Sequence, residues 1–207
     1  MDDQGKQPHV LRRFAPYSLK HGLRIVMEYY KKITMKNGQE ALLRNGTAAD
    51  AADVLDCFLR THAETDFLLS YPDEVTFTIE QEADFLQSRS DSPDAIEIVA
   101  EVDGKIVGTA GIGPAGNCYK VKHRAGFGIS VLKDYWGCGL GRALTDACIE
   151  CARKAGYTQL ELDVSGDNAK AIAMYKSAGF REFGRNPKGF RSRESGFKEL
   201  ISMFAEL

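Results

Sequence analysis

The chain has 207 residues, of which 43% are hydrophobic and 27% charged, and its formal net charge at pH 7 is −2. This length suits one sizeable hydrophobic core rather than two, and the small charge argues against a general electrostatic attraction to nucleic acid. Apolar runs stay below the roughly 20 residues of a membrane-spanning helix, and the N-terminus lacks the apolar core of a signal peptide.

The first 40 residues differ from the rest of the chain. They hold eight Lys or Arg against four Asp or Glu and show no clear hydrophobic period. The stretch YSLKHGLRIVMEYYKKI, residues 17–33, suits a short helix. We therefore predict a basic N-terminal extension over residues 1–40, either a solvated arm or a partner-binding one, and one main domain over residues 41–207.

From Ala41 onward the hydrophobic pattern becomes regular. It predicts strands and helices in the order βααβββαβαββ, with Asp103-Gly104 as a strong hairpin signal between two strands. An antiparallel hairpin that leads into a strand–helix–strand unit predicts an α/β fold, with a central mixed sheet and helices on both faces.

Three glycines stand within five positions just before a predicted helix, in the stretch YWGCGLGRALTDACIECARKAGY. The first turn of a helix has free N–H groups that bind anions, and glycines let a phosphate approach the backbone. Arg142 can add a charge-assisted contact. A dinucleotide fingerprint would need glycine in place of Arg142 or Leu144, and a P-loop would need Gly-Lys-Ser/Thr. We therefore favour an anion site at Gly137, Gly139 and Gly141 over a turn that serves packing alone.

The helix after this loop has one apolar face. Leu144, Ala147, Cys148 and Cys151 share it, so the C-x-x-C spacing indicates core packing. A metal site would need two more ligands, and the four histidines form no such cluster; we expect no metal. Five cysteines, an odd number without a signal peptide, favour free thiols in a reducing cytoplasm over a disulfide framework.

The stretches GISVLKDYWGCGLGRAL and LELDVSGDNAKAIAMYKSAGF resemble the acetyl-CoA-binding core of the GNAT superfamily of N-acetyltransferases. The likeness covers about residues 41–207 in element order and is specific over residues 128–180. The loop of that family, Q/R-x-x-G-x-G/A, is matched at Gly139 and Gly141, but Trp136 stands where Gln or Arg is commonest. The resemblance implies a GNAT fold for the main domain, with acetyl-CoA as co-substrate.

The resemblance also implies where acetyl-CoA binds. The backbone of Ile129, Ser130 and Val131 pairs with the pantetheine arm like an added strand. Asn168 reaches the cofactor near the start of the last helix, where it also suits a helix cap. The pyrophosphate lies on the loop made of Gly137, Cys138, Gly139, Leu140, Gly141 and Arg142.

Acetyl transfer to an amine has three chemical requirements. The amine must lose its proton, the carbonyl oxygen gains negative charge that needs an N–H donor, and an acid helps the thiolate to depart. By resemblance, the N–H of Val131 is the candidate oxyanion donor and Tyr175 is the acid. A core tyrosine is the alternative interpretation of Tyr175.

The resemblance implies a carboxylate as the base. Asp163, on the polar face of TQLELDVSG, falls where members that acetylate the N-termini of ribosomal proteins carry a glutamate. Because Asp is shorter by a methylene, a relaying water is expected. Other members carry the glutamate on the strand before the loop, where Gly126 stands here. Glu64, Glu74 and Glu80 fall in the region that lines the acceptor site in the family, with solvated surface carboxylates as the alternative.

We therefore expect an N-acetyltransferase that moves the acetyl group of acetyl-CoA to a primary amine by direct attack in a ternary complex. The acceptor stays open between a small amine and a protein N-terminus or lysine. A non-catalytic acyl-CoA-binding regulator is the alternative from another class. We expect acetyl-CoA and an amine as partners, neither nucleic acid nor a membrane, and leave a homodimer open.

Overall fold

The computed structural model describes residues 26–207. Its strands are Tyr30–Thr34 (β1), Glu40–Asn45 (β2), Ile96–Val102 (β3), Lys105–Pro114 (β4), Arg124–Val131 (β5), Gln159–Ser165 (β6), Arg181–Ser192 (β7) and Gly196–Glu206 (β8), and its helices are Ala51–Glu64 (α1), Ile79–Ser90 (α2), Leu140–Lys154 (α3) and Ala169–Ser177 (α4). The strands form one mixed sheet in the order β1-β2-β3-β4-β5-β6-β8-β7. The predicted α/β class and the element order from Ala41 onward are confirmed.

β1 replaces part of a helix that the sequence predicts. The prediction covered residues 17–33; residues 17–25 lie outside the described residues, and β1 pairs antiparallel with β2. The strand prevails because this pairing satisfies backbone hydrogen bonds that a short isolated helix would satisfy poorly. Met27 and Tyr29 just before it are buried, and we propose that the folded domain begins before the predicted boundary at residue 40.

Local sequence sets where the helices begin and end. The Thr78 hydroxyl accepts a hydrogen bond from the N–H of Gln81 at 3.2 Å, and the Gln81 side chain accepts one from the N–H of Thr78 at 3.0 Å, which caps α2 reciprocally. Thr47 does not cap α1 directly. It precedes a short 3-10 turn, residues 48–50, that leads into α1. α3 ends before Gly156, whose φ of +80° is the left-handed geometry of a helix stop.

The predicted hairpin between β3 and β4 forms at Asp103-Gly104. Both residues have positive φ, 50° for Asp103 and 75° for Gly104. Two-residue turns that match the twist of their strands require this geometry at both central positions, and Asp-Gly adopts it readily. The turn therefore fixes the register with which the central strands begin.

The sheet separates two helical layers, as predicted. Leu86 of α2 and Val99 of β3 both lie against Gly46, so Val99 faces the layer of α1 and α2. Because successive residues of a strand point to opposite faces, Ile98 faces the other layer, which α3 and α4 form. α3 turns its predicted apolar face, with Leu144 and Cys148, into this core.

The sheet splits between β5 and β6. These neighbours are the parallel pair of the described sheet, and they pair over three residues only, Arg124–Gly126 of β5 with Gln159–Glu161 of β6. Beyond these pairs β5 runs on to Val131 and β6 to Ser165, with no pairing between them. The split exposes one edge of β5 in the middle of the sheet.

Candidate active site

The edge of β5 in the split presents free backbone groups. The N–H of Leu132 donates to the carbonyl of Val107 on β4 at 2.9 Å. Because backbone groups alternate along a strand, those of Val131 and Ile129 point away from β4, into the split. Ser130 alternates with them and turns its backbone to β4, which corrects the expectation that Ser130 pairs with the pantetheine arm through its backbone.

Trp136 connects the glycine loop to this edge. Its indole N–H donates to the carbonyl of Val131 at 2.7 Å, and its ring stacks beside Phe67 with centroids 6.4 Å apart. The indole therefore occupies one acceptor of the open edge. It also adds an aromatic wall at the position where the family commonly has Gln or Arg.

The glycine loop leads into α3 through two left-handed residues. Gly137 and Gly139 have φ of +78° and +94°, a region that side chains disfavour. The loop rests on the β1–β2 turn, where the N–H of Lys36 donates to the carbonyl of Cys138 at 2.9 Å. The N–H groups of Leu140, Gly141 and Arg142, at the start of α3, have no acceptor among residues 26–207. The loop thus offers an anion free amides at a helix start.

The side chains of the other predicted loop residues point elsewhere. Cys138 is buried and Leu140 is fully buried, so each can offer a ligand only its backbone. Arg142, predicted to add a charged contact, donates to Asp146 at 2.8 Å and to the hydroxyl of Ser177 at 2.9 Å. Arg142 therefore links α3 to α4, and its guanidinium already has two partners.

α4 packs beside the start of α3. A Cβ on Gly141 would lie 3.5 Å from the sulfur of Met174, so glycine lets the two helices approach closely. Asn168 caps α4 by accepting a hydrogen bond from the N–H of Ala171 at 3.2 Å, which confirms the cap interpretation. The amide NH2 of Asn168 has no partner in the described part of the chain.

Tyr175 is a buried tyrosine whose hydroxyl is unused. Its ring lies between Phe127 and Phe180, with centroid distances of 6.2 and 5.8 Å. Among the described residues the hydroxyl has no hydrogen-bond partner. Burial raises the pKa of Tyr175 above its ordinary value, so the phenol stays protonated near pH 7 and can donate.

Asp163 lies on the opposite face of the sheet from Tyr175. It is exposed on β6 and accepts a hydrogen bond from the hydroxyl of Ser202 at 2.6 Å. Glu161 on the same face accepts one from Arg124 at 2.7 Å, at the closed end of the split. Asp163 and Tyr175 can therefore approach one substrate only through the split between β5 and β6.

Residues 65–78, the loop between α1 and α2, cross the open end of the split; we name them the cover loop. On one side, the carboxylate of Glu64 accepts a hydrogen bond from the N–H of Lys133, just after β5, at 2.7 Å. On the other, the hydroxyl of Tyr71 accepts one from the N–H of Arg193, in the β7–β8 turn, at 2.8 Å. Tyr71 and Arg193 are 122 positions apart and carry no motif, so the sequence does not indicate their contact.

The thiols of the core are unsuited to nucleophilic catalysis. Burial raises the pKa of Cys57 and Cys151 to about 12 and raises that of Cys148 well above its ordinary value. Because the thiolate is the reactive form, these side chains are inert. Within residues 26–207, no three or more His, Cys, Asp or Glu are placed to hold a metal ion, and none of the helices has the length and apolarity to cross a membrane.

A mixed sheet that parts between parallel strands, beside a glycine-rich helix start, is the architecture of an acetyltransferase fold. The family model described as "Acetyltransferase (GNAT) family" matches residues 58–180, more than half of the chain. The chain therefore belongs to the GNAT family of acetyltransferases.

The chain spans less than half the length of the curated relatives that it matches, and it superposes on a solved structure over nearly the whole of that structure. The chain is 34% identical to human N-acetyltransferase 8B over 89 residues, which are 42% of this chain and 39% of that protein. It is 48% identical over 56 residues to the [ribosomal protein bS18]-alanine N-acetyltransferase of Escherichia coli K12, 27% of this chain and 38% of that one. The crystal structure of a GNAT-family acetyltransferase from Streptococcus pneumoniae superposes with a TM-score of 0.77 at 30% identity, covering 81% of this chain and 99% of that chain.

Proposed function

We propose that this protein transfers the acetyl group of acetyl-CoA to a primary amine by direct attack in a ternary complex. The observation that carries the proposal is the open edge of β5 beside the glycine loop. The pantetheine arm contains amides that can pair with such an edge, and the pyrophosphate is an anion suited to a free helix start. Membership of the GNAT family supports the same cofactor.

The pantetheine arm and the pyrophosphate of the cofactor each have groups to bind them. Ile129 offers its free N–H to the pantetheine arm, and the free N–H of Val131 is left for the thioester carbonyl at the end of that arm. The amides of residues 137–142 offer donors to the pyrophosphate, and the unpartnered NH2 of Asn168 adds a donor at the start of α4. Arg142 contributes its backbone N–H, since its side chain is held by neighbouring residues.

The chemistry follows from the same groups. The lone pair of the neutral amine attacks the thioester carbonyl carbon, and the N–H of Val131 stabilises the oxyanion. As the tetrahedral intermediate collapses, the C–S bond breaks and Tyr175 gives its proton to the thiolate. Asp163 stays the predicted base.

The cover loop favours an acceptor that enters by one end. It is anchored on both sides of the split, so a broad protein surface would meet it before reaching β5. Asp66 of this loop accepts a hydrogen bond from the Tyr71 hydroxyl at 3.0 Å and has further lone pairs for an ammonium, whereas Asp73 is already paired with Arg193 at 2.7 Å. A small primary amine is the acceptor that best suits this entrance, the open end of the split under the cover loop.

The N-terminal amine of a protein is the second candidate acceptor. A chain terminus also enters by one end, and a relative at 48% identity is named for acetylating an alanine of a ribosomal protein. An internal lysine is disfavoured because the flanking chain on both sides would have to pass the cover loop. A homodimer and a cytoplasmic location stay predictions.

An acceptor panel tests the proposal. CoA release from acetyl-CoA is measured with small primary amines, with peptides that have a free N-terminus, and with N-blocked peptides whose one amine is an internal lysine. We expect release with one of the first two classes and none with the third. Acetyl-CoA binding without release for every acceptor would favour the acyl-CoA-binding regulator instead.

Tyr175→Phe tests the acid. The change keeps the packed ring and removes a hydroxyl that has no partner among the described residues, so the free energy of unfolding should change little. General acid help is worth about 100- to 10,000-fold, and kcat should fall into that range with CoA affinity unchanged. Tyr157→Phe is the matched control: it removes a hydroxyl that donates to the carbonyl of Asp94 at 2.8 Å, so stability falls and kcat per folded enzyme stays normal. Wild-type kcat in folded Tyr175→Phe would remove Tyr175 from the mechanism.

A further inference from the structure

The proposed reaction leaves the carboxyl group of Glu97 unused. This residue lies on the face of the sheet that α1 and α2 cover. Glu97 of β3 shares its face of the sheet with Val99 and is partly buried. Its strand neighbours Ile96 and Ile98 point to the other face and are fully buried. An acidic residue in the centre of a core sheet needs compensation, so its surroundings indicate what it does.

Two glycines lie in line between Glu97 and the split. Glu97 stands opposite Gly111 of β4, and Gly111 stands opposite Gly128 of β5. The carboxyl of Glu97 extends across β4 and fills the space that a Cβ on Gly111 would take. Gly128 is exposed, with open space where its Cβ would be. The path from the carboxyl to the open edge of β5 is therefore free of side chains from β4 and β5.

The distances along this path suit one bridging water. Neighbouring strands lie about 4.8 Å apart, so a carboxyl above Gly111 is about one strand spacing from Gly128. Two hydrogen bonds of about 2.8 Å through one water span about 5.5 Å. Ile129, whose free N–H faces the split, follows Gly128 directly in the chain. The water would thus stand beside the backbone edge to which we assign the thioester.

The groups around Glu97 hold it near its titration point. Burial raises its pKa to about 7, nearby Glu82 of α2 adds to the rise, and Arg89 of α2 and the hydroxyl of Thr109 on β4 oppose it. The charge of the same carboxyl also contributes to the raised pKa of Cys148 on α3, in the other helical layer. A carboxyl of this kind is partly ionised at neutral pH and can take up and release a proton within a turnover.

Resting on the proposed function, we propose that Glu97, rather than Asp163, receives the proton that the acceptor ammonium must lose, through a water held above Gly128. The ammonium gives one proton to the water, and the water gives one to the Glu97 carboxylate, which becomes a carboxylic acid. The neutral amine then forms the C–N bond as the C–S bond breaks, with the thiolate protonated by Tyr175. Glu97 returns its proton to solvent after product release.

The test is the pH profile of kcat/KM for wild type, Glu97→Gln and Asp163→Asn, with two acceptors whose amines differ in pKa. In the wild type we expect an acidic limb near pH 7 that is the same for both acceptors, because it belongs to the enzyme. Glu97→Gln should lose this limb and fall by about 100- to 10,000-fold at pH 7, with acetyl-CoA affinity unchanged. A limb that persists in folded Glu97→Gln and vanishes in Asp163→Asn overturns the proposal.

Gly128→Ala tests the path without touching the carboxyl. A methyl group meets nothing within 4 Å in the fold but stands where the water is placed, so stability should hold while kcat/KM falls and acetyl-CoA affinity stays. Glu101→Gln is the control on the same strand, since Glu101 pairs with Arg44 at 3.0 Å, away from Gly128; it should keep the wild-type profile. Wild-type kinetics in Gly128→Ala overturns the path. If wild type transfers acetyl to no acceptor, the proposed function fails together with this one, whereas transfer with an unchanged Glu97→Gln profile overturns Glu97 alone.

Discussion

Glu97→Gln should also remove a pH dependence from the stability of the protein. The pKa of Glu97 rises from an ordinary 4.5 to about 7 in the folded state, whereas the unfolded chain keeps the ordinary value. A raised pKa stabilises the folded state fully below the unfolded pKa, and this stabilisation is lost as the pH rises through about 7. At about 1.36 kcal/mol per pKa unit, wild type should lose about 3 kcal/mol between about pH 4 and pH 8 relative to the variant.

Denaturant unfolding of both proteins across this pH range measures the effect. Subtracting the variant from the wild type at each pH removes the titrations that the two proteins share. Melting curves should show the same trend, a difference that changes by roughly 6–12 °C for a chain of this size. The readout needs no acceptor, so it is independent of catalysis. Parallel curves for wild type and Glu97→Gln would refute the assignment of a near-neutral pKa to this carboxyl.

Three further changes have expected outcomes. Gly139→Val should fold, because its Cβ meets only the side chain of Lys36 at 3.7 Å, and its left-handed φ should lower the free energy of unfolding by about 1–2 kcal/mol. Its CoA affinity, measured by calorimetry, should fall. Gly104→Val is the control: it has comparable strain in the β3–β4 turn and should bind CoA normally. A chain starting at Met35 lacks β1, so its melting temperature should fall well below that of the full chain; an equal melting temperature would contradict the role of β1. Folded Cys148→Ala with Cys151→Ala should keep its activity, and a trapped acetyl-enzyme by mass spectrometry would contradict this.

The sequence predicts those parts of the fold whose signals are local. Hydrophobic periods place the elements from Ala41 onward, Asp103-Gly104 marks its hairpin, and the glycines mark the start of α3. β1 escapes prediction because it is an edge strand with four of its five residues exposed, so the alternation that identifies a half-buried strand is missing. Its identity depends on pairing with β2, which no local pattern records.

The features of the candidate site also divide into those with a local sequence signal and those that depend on distant contacts. Backbone binding groups are predictable, since glycines and a helix start indicate them directly. The contact of Arg142 with Ser177 and the two ends of the cover loop depend on contacts distant in sequence, whereas Asp146 is four positions from Arg142 on the same helix. In the sequence, Glu97 looks like any polar residue of a strand. Its proposed role depends on the strand register, which places Gly111 and Gly128 in line with it.

The split between β5 and β6 leaves only a short seam within the sheet. There β1–β5 and β6–β8 are joined by three residue pairs and by the ion pair of Arg124 with Glu161, and the cover loop bridges the two parts at the open end. A pantetheine arm along β5 would supply backbone hydrogen bonds that the seam lacks, and the cofactor would act as part of the fold. Ligand at about 100 times Kd adds about 2.7 kcal/mol to the free energy of unfolding. Amide hydrogen exchange along the seam should slow first, since cofactor binding suppresses the local opening of the two halves.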